Sequence, residues 1–355
     1  MTRTSGVWVG GAAVGAGVLA LVAYLLVWPV PIQPTPWSAP AASTWTPTGS
    51  LTDVQRHELP TGHGPEDVHI TEGGTVIVGT DDGTLWRYSG EDEPVRVANT
   101  GGRPLGLHVL GDGRLGVADA FAGLLAVDLD TGDIETLATT CGGVPLVFTD
   151  DLDVSDDGTL WFSDASQRFD QSRWTLDILE NGTTGRLCAL APGDDEPREV
   201  LTGLAFANGV AVDPGGRFVL VNETSRYRVR RYWLSGPRAG QDDVFVDNLP
   251  GFPDGISAGE GVFWIAIASP RNDLVDRASN RPWLRRLMVR LPAFLHPAPE
   301  RSARVIGVDA DGRVVHDLYD ADGTRFTTVT SVQEHGGRLY LGSLVDTAWA
   351  ARAVP

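Results

Sequence analysis

The chain contains no lysine: all 28 of its basic residues are arginine. Schiff-base chemistry on a lysine amine is therefore excluded outright. Cysteine is nearly absent too, with only Cys141 and Cys188, too few for a disulfide scaffold or a zinc pattern. Export would let the two pair in an oxidising compartment, while two buried thiols acting as small apolar groups fit the sequence as well. The G-x-S-x-G elbow, the Walker A loop and a G-x-G-x-x-G loop between strand and helix are all missing, so no nucleophile or phosphate-cradling motif is present. Positive charge is scarce. With 46 acidic residues and a net charge of −18, the surface repels phosphate backbones, and nucleic acid is a poor partner.

Hydrophobic residues make up 42% of the 355 and charged residues 21%, ordinary globular usage that supports a sizeable core. Long charge-free runs are confined to the start. From Val7 to Val30 no residue is charged, and about 20 apolar residues cross a bilayer core. Arg3 precedes this run and no charge follows until Asp53, so residues 1–30 read as a membrane anchor with the rest of the chain on the extracytoplasmic side. A cleaved signal peptide ending near Ala39-Pro40-Ala41 is the rival reading. Gly11 and Gly15 form a G-x-x-x-G pair that suits helix packing and also arises easily by chance. Residues 31–50, uncharged and rich in Pro, Ser and Thr, are expected to be an extended, unpacked tether.

From residue 51 to 355, short β-type runs alternate with tight turns: Asp82-Gly83, Asp112-Gly113, Asp157-Gly158, Gly215-Gly216, Gly259-Glu260-Gly261 and Gly336-Gly337. Each is expected to join the first and second strands of a repeated sheet. Six units of about 40–50 residues predict an all-β fold, a six-bladed β-propeller, better than a sandwich, which would not return one turn six times. Too few residues follow Gly337 to finish the sixth blade, so the strand near Asp53 to Glu58 is expected to close the ring. Residues 270–301 interrupt blade five between its second and third strands. There Trp283, Leu284, Leu287, Met288 and Leu291 at helical spacing, with Arg285, Arg286 and Arg290 between them, predict a basic amphipathic helix, read as a lid over the channel or as a membrane-surface helix.

The starts of the inner strands converge on a propeller's channel. Four of them carry oxygen donors: Glu66 in GPEDV, Asp150 in FTDDLDV, Asn208 in FANGVAV and Asp254 in FPDGIS. Three carboxylates crowded at one axis require a cation, and an all-oxygen set suits a hard divalent ion such as Ca2+. A bound divalent ion polarises a carbonyl oxygen, which points to hydrolysis of an ester or lactone. Asp151, Asp254 and His108 are the general-base candidates. Their plain alternatives are a turn acid, a ligand only and a core histidine. The sequons at Asn181 and Asn222 bear on glycosylation of an exported chain.

These segments closely resemble the strictosidine synthase-like family. The matching pieces are GPEDV, GRPLGL, ADAFAGLL, DDLDVSDDGTLWFSDAS, FANGVAV, ETSRYRVRRYWLSGPRAG, DNLPGFPDGIS, RPWLRR and QEHGGRLYLGSL. The resemblance implies a six-bladed propeller, related to calcium-dependent gluconolactonase and paraoxonase propellers. Their Glu, two Asn and Asp ligands match Glu66, Asp150, Asn208 and Asp254, with Asp150 standing where an Asn is usual. It also implies that Thr330, three residues before Gln333, occupies the place of the plant synthase's catalytic Glu. Threonine cannot serve as that acid or base, so a strictosidine synthase-type lyase is disfavoured. The expectation is a membrane-anchored, calcium-dependent ester or lactone hydrolase of arylesterase or lactonase type. The other reading is a binding propeller braced by a structural calcium.

Overall fold

The computed structural model describes residues 5–43, 45–90, 92–292, 295–296 and 300–355, with side chains from residue 15 onward. Six antiparallel sheets follow one another along the chain, spanning 68–99, 104–138, 149–204, 207–246, 251–320 and 329–353, each a blade whose strands run outward in sequence order. This is the six-bladed propeller the turn series predicts. Five of its six turns join first and second strands as expected. In blade one the inner strand Val68–Ile70 instead turns at Gly73 and Gly74 into Val76–Gly79, and Asp82-Gly83 lies one connection later, before Thr84–Tyr88. The sequence DVHITEGGTVIVGTDDG holds two glycine turns within ten residues, and the first blade's strands are too short to tell them apart by spacing.

The ring closes as the unfinished sixth blade requires. Gln55–Glu58 pairs antiparallel with Ala348–Ala353, Gln55 opposite Ala351 and Glu58 opposite Ala348, supplying the outer strand that the end of the chain lacks. A side chain ties the last blade to the first, Gln333 accepting the Ile70 amide at 2.7 Å, and on its other side Glu334 of blade six accepts the indole N–H of Trp264 in blade five at 2.7 Å.

The core lies between blades, not at the axis. Leu107, Val117 and Leu125 of blade two pack on Ile77 and Leu85 of blade one. Val210, Val219 and Val221 of blade four pack on Trp161 and Leu187 of blade three. Each sheet buries both faces, which is why these strands read as apolar runs instead of clean alternations. Burying both sheet faces leaves polar side chains for the axis and the rims.

Among the described residues four α-helices flank the sheets: α1 (Ser5–Val27), α2 (Trp174–Glu180) in blade three, and α3 (Asp273–Ala278) and α4 (Pro282–Arg290) in blade five. Arg3 and the side chains of residues 5–14, on which the anchor and the Gly11 pairing depend, lie outside the described residues. Among those described, no helix is long and apolar enough to cross a membrane. The helical insertion occurs where the sequence predicts it, but one face is turned. Arg285 is 2% exposed, and its guanidinium donates to the carbonyls of Ala278, Glu180 and Thr35, whereas Trp283 is 63% exposed. Amphipathic spacing puts arginine outside. Four backbone carbonyls converging from α2, α3 and the N-terminal segment reverse that preference.

Residues 31–43 and 45–50 are extended but are not free. Ile32 is buried with Phe169, Leu179 and Met288, Thr35 N–H and Trp37 N–H donate to the Glu180 and Ser279 carbonyls, and Gly49–Ser50 adds a parallel strand to blade five. An uncharged segment without regular backbone pairing of its own over residues 31–43 finds partners on the helices it crosses.

Cys141 and Cys188 form a disulfide that joins the hairpin ahead of blade three to its third strand. Opening this link of 47 residues is expected to cost about 2–5 kcal/mol. The check is the melting temperature with and without reductant; an unchanged value would contradict the assignment of a stabilising role.

Candidate functional site

Each inner strand of blades two to six carries a register shift close to its start, between Pro104 and Gly106, Thr149 and Leu152, Ala207 and Val210, Pro253 and Ile256, and Val329 and Val332. Such a bulge re-aims the extra residue. The residues so placed are Leu105, Asp150, Asn208, Asp254 and Thr330, and with Glu66 of blade one all six line a channel cavity of about 250 Å³. Glycine follows at 209 and 255 because the neighbouring blade leaves no room for a Cβ: at Gly209 it would stand 2.4 Å from the Asp254 carbonyl oxygen, at Gly255 2.6 Å from that of Thr330. The repeated bulge thus brings four oxygen-bearing side chains to one level of the axis.

A second cavity, about 160 Å³, lies on the side of the connections between second and third strands, where α2 and the blade-five insertion roof it. Its walls include Phe148, Trp174, Ile178, Phe206, Phe252 and Val275. The residues common to both cavities are Glu66, Asp150, Asn208 and Asp254. They form the septum between an acidic lower chamber and an apolar upper one.

Electrostatics at the septum are unfavourable as the chain stands. Burial, then the charges of Glu66, Asp254, Asp151 and Asp164, raise the Asp150 carboxyl well above the usual carboxylate range. Burial, then Glu66, does the same to Asp254, with Asn208 as a hydrogen-bond partner that favours its ionised form. Glu66 is raised by burial and pulled back by Arg103, whose Nη2 donates to its Oε2 at 3.0 Å. Three carboxylates against one guanidinium leave two negative charges, the balance a divalent cation neutralises. Among the described residues no group of three His, Cys, Asp or Glu side chains is already drawn together as a metal cage. Arg103 holds one Glu66 oxygen. The donor set, all oxygen and of suitable charge, fits a hard divalent ion.

Of the three general-base candidates, Asp254 alone reaches both chambers. Asp151 has both oxygens on backbone amides, Leu152 N–H at 2.8 Å and Val210 N–H at 2.7 Å, and Asp153 binds Val154 and Val212 in the same way. These acids fasten blade three to blade four, a part neither a free base nor a turn acid plays. His108 lies in the lower chamber, its Nδ1 3.1 Å from Asp153 and its ring 5.0 Å from that of His69. His69 is held neutral: burial takes it down to about 3, and its Nε2 accepts the Val109 amide at 3.3 Å. Thr330 donates its hydroxyl to the Glu66 carbonyl at 2.7 Å. The sequon residues Asn181 and Asn222 are 5% and 0% exposed, closed to a glycan in the folded chain.

Arg103 and the upper chamber's walls escape the sequence reading. Arg103 lies inside the GRPLGL segment, but nothing local marks it as the partner of a residue 37 positions earlier. The seven residues of α2 make less than two turns of periodicity, too few to register.

The geometry has counterparts. The strictosidine synthase family model matches residues 150–237, and the strictosidine synthase-like N-terminal model matches residues 44–88. The adipocyte plasma membrane-associated protein of Salmo salar is 33% identical over 352 residues, covering 92% of this chain and 84% of its own length. A gluconolactonase from Xanthomonas campestris superimposes with a TM-score of 0.62 at 15% identity, over 91% of this chain and 99% of that one. The calcium-binding protein regucalcin from Agrobacterium tumefaciens superimposes with 0.57 at 16%, over 83% and 90%. At those identities the solved structures speak for the fold alone. The salmon relative speaks for descent, and the chain belongs to the strictosidine synthase-like family that includes the adipocyte plasma membrane-associated proteins.

Proposed function

We propose that this chain is a membrane-anchored, calcium-dependent hydrolase of esters or lactones whose site is the septum of Glu66, Asp150, Asn208 and Asp254. The observation that carries the reading is that, among the described residues, these four and no others face both chambers. A divalent ion held there would polarise a substrate carbonyl oxygen at the floor of the upper chamber. The apolar walls from Phe148, Trp174, Phe206 and Phe252 take the acyl or aryl portion and exclude water from it. Asp254 is the acid or base of choice, since its carboxylate reaches the upper chamber while Asp151 is spent on backbone amides and His108 lies on the far side of the septum. Membrane attachment rests on the uncharged N-terminal run and agrees with the name of the salmon relative. The Cys141–Cys188 disulfide supports an oxidising, extracytoplasmic setting.

The test is turnover of aryl esters and lactones by the purified full chain, before chelation, after it and after calcium is restored. Loss and recovery support the hydrolase. A melting temperature that rises with calcium while no substrate turns over would favour the binding propeller.

A pH dependence follows from the raised carboxyls. With folded-state proton affinities above the unfolded ones, Asp150 and Asp254 contribute stability to the metal-free chain in acid, and that contribution is lost as pH rises through their folded values. Calcium must displace those protons, so its stabilising increment is expected to be larger at about pH 8 than at about pH 5.5. Melting curves with chelator and with calcium at the two pH values read this directly; an increment independent of pH would argue against carboxylate ligands.

A further inference from the structure

The connections between second and third strands all emerge on the roofed side of the ring, and three of them expose large apolar side chains. Phe121 of blade two is 56% exposed, Leu274, Trp283 and Leu295 of blade five 46%, 63% and 53%, and Val345 of blade six 52%. The same insertion reverses the charge of the chain. Residues 270–301 hold seven Arg against two Asp and one Glu in a protein of net charge −18, and Arg281 and Arg286 are exposed. Of the acids on this face, Asp81 pairs with His63, Asp273 with Arg277 and Asp346 with Arg56, while the charges of Asp82, which accepts from Thr80 and Thr84, and of exposed Glu300 are outnumbered by the arginines.

What covers this face is indicated by where the N-terminal helix meets it. Arg290 at the end of α4 donates from Nε to the Trp28 carbonyl at 2.7 Å and from Nη1 to the Leu25 carbonyl at 3.1 Å. The last turn of α1, with Leu26, Val27 and Trp28 all more than half exposed, is thereby fastened to the Arg-rich insertion. An apolar helix continuous with a rim of isolated large apolar residues, interleaved with arginine, matches the interfacial layer of a bilayer bearing anionic headgroups.

We infer that the roofed face of the propeller rests on an anionic lipid surface, with Trp283, Leu274, Phe121 and Val345 in the interfacial layer and Arg286 among the headgroups. This rests on the proposed membrane attachment through α1 and adds a second, independent contact to it. The upper chamber then sits against the membrane instead of facing away from it on a tether.

The experiment reconstitutes the full chain into vesicles of phosphatidylcholine with phosphatidylglycerol, part of the lipid carrying brominated acyl chains, and compares wild type with Trp283→Phe. Wild type is expected to lose an emission component to bromolipid that Trp283→Phe lacks. Arg286→Glu is expected to shrink that component on anionic vesicles and leave it unchanged on phosphatidylcholine alone. Quenching by acrylamide decides the rest. If Trp283 stays open to aqueous quencher, the face is free; if it is shielded from both quenchers, protein covers it, for example a second copy. Either result overturns the inference while leaving the anchor intact. A chain that does not float with vesicles at all overturns the anchor, and the lid contact with it.

Discussion

Replacing Asp254 by alanine should abolish turnover and, with it, the rise in melting temperature on adding calcium. The expected loss of rate is about 10²–10³-fold, the size seen when one preorganised electrostatic group is removed from a reacting carbonyl. The missing stabilisation is about 2.7 kcal/mol for a ligand at 100 times its dissociation constant. Asp254→Asn separates the two roles of the side chain. The amide keeps an oxygen donor and the shape of the site, so calcium should still stabilise, more weakly, while activity falls as far as with alanine if Asp254 moves a proton. A ligand without a proton-transfer role would leave Asp254→Asn with activity in proportion to its residual metal. In the absence of metal both variants should melt above wild type, because burial and Glu66 make the Asp254 charge unfavourable there. A metal-free variant that melts below wild type would mean the carboxylate is stabilising, and the electrostatic description of the septum would be wrong.

The second large effect lies away from the channel. Arg186 is 1% exposed, with its Nε on Asp164 at 3.0 Å and its other donors on the carbonyls of Cys141, Val144 and Pro145. Asp164, wholly buried, also accepts the Val147 and Phe148 amides that lead into blade three. Arg186→Ala leaves that carboxylate without its counter-charge and removes the guanidinium donors to three carbonyls. The expected cost is about 3–5 kcal/mol, read from denaturant unfolding of the full chain. Because Phe148 walls the upper chamber and Asp150 follows it by two residues, activity should fall along with stability. A change below about 1 kcal/mol would show that solvent or neighbouring groups replace the guanidinium. The effect should not add to that of opening Cys141–Cys188, since Cys141 takes part in both, through its carbonyl and its sulfur.

Much of this was legible in the chain because the propeller repeats its own grammar. A glycine turn between a strand that lines the channel and one that builds the core recurs in every blade, so Asp150, Asn208 and Asp254 are found by their place before it. The same repetition explains the closing strand at Gln55–Glu58. What stayed hidden is non-repeating. Arg103, α2 and the inward turn of Arg285 are each fixed by partners distant in sequence, Glu66 for the first and the carbonyls of Glu180 and Thr35 for the last. The surroundings of Asp151 are non-local for a related reason: it lines the lower chamber, but its carboxylate accepts the Leu152 amide and, from the next blade, the Val210 amide. Composition alone also cannot tell an unattached Pro-rich tether from one whose carbonyls and amides are taken up by helices, as residues 33–40 are.

The most direct measurement is a crystal structure of the full chain grown with calcium, with the ion located by its anomalous signal. The account predicts one ion at the septum, about 2.3–2.6 Å from oxygens of Glu66, Asp150, Asn208 and Asp254, with Arg103 still on the second Glu66 oxygen. A septum that stays empty at saturating calcium, or an ion bound by other residues, would contradict it.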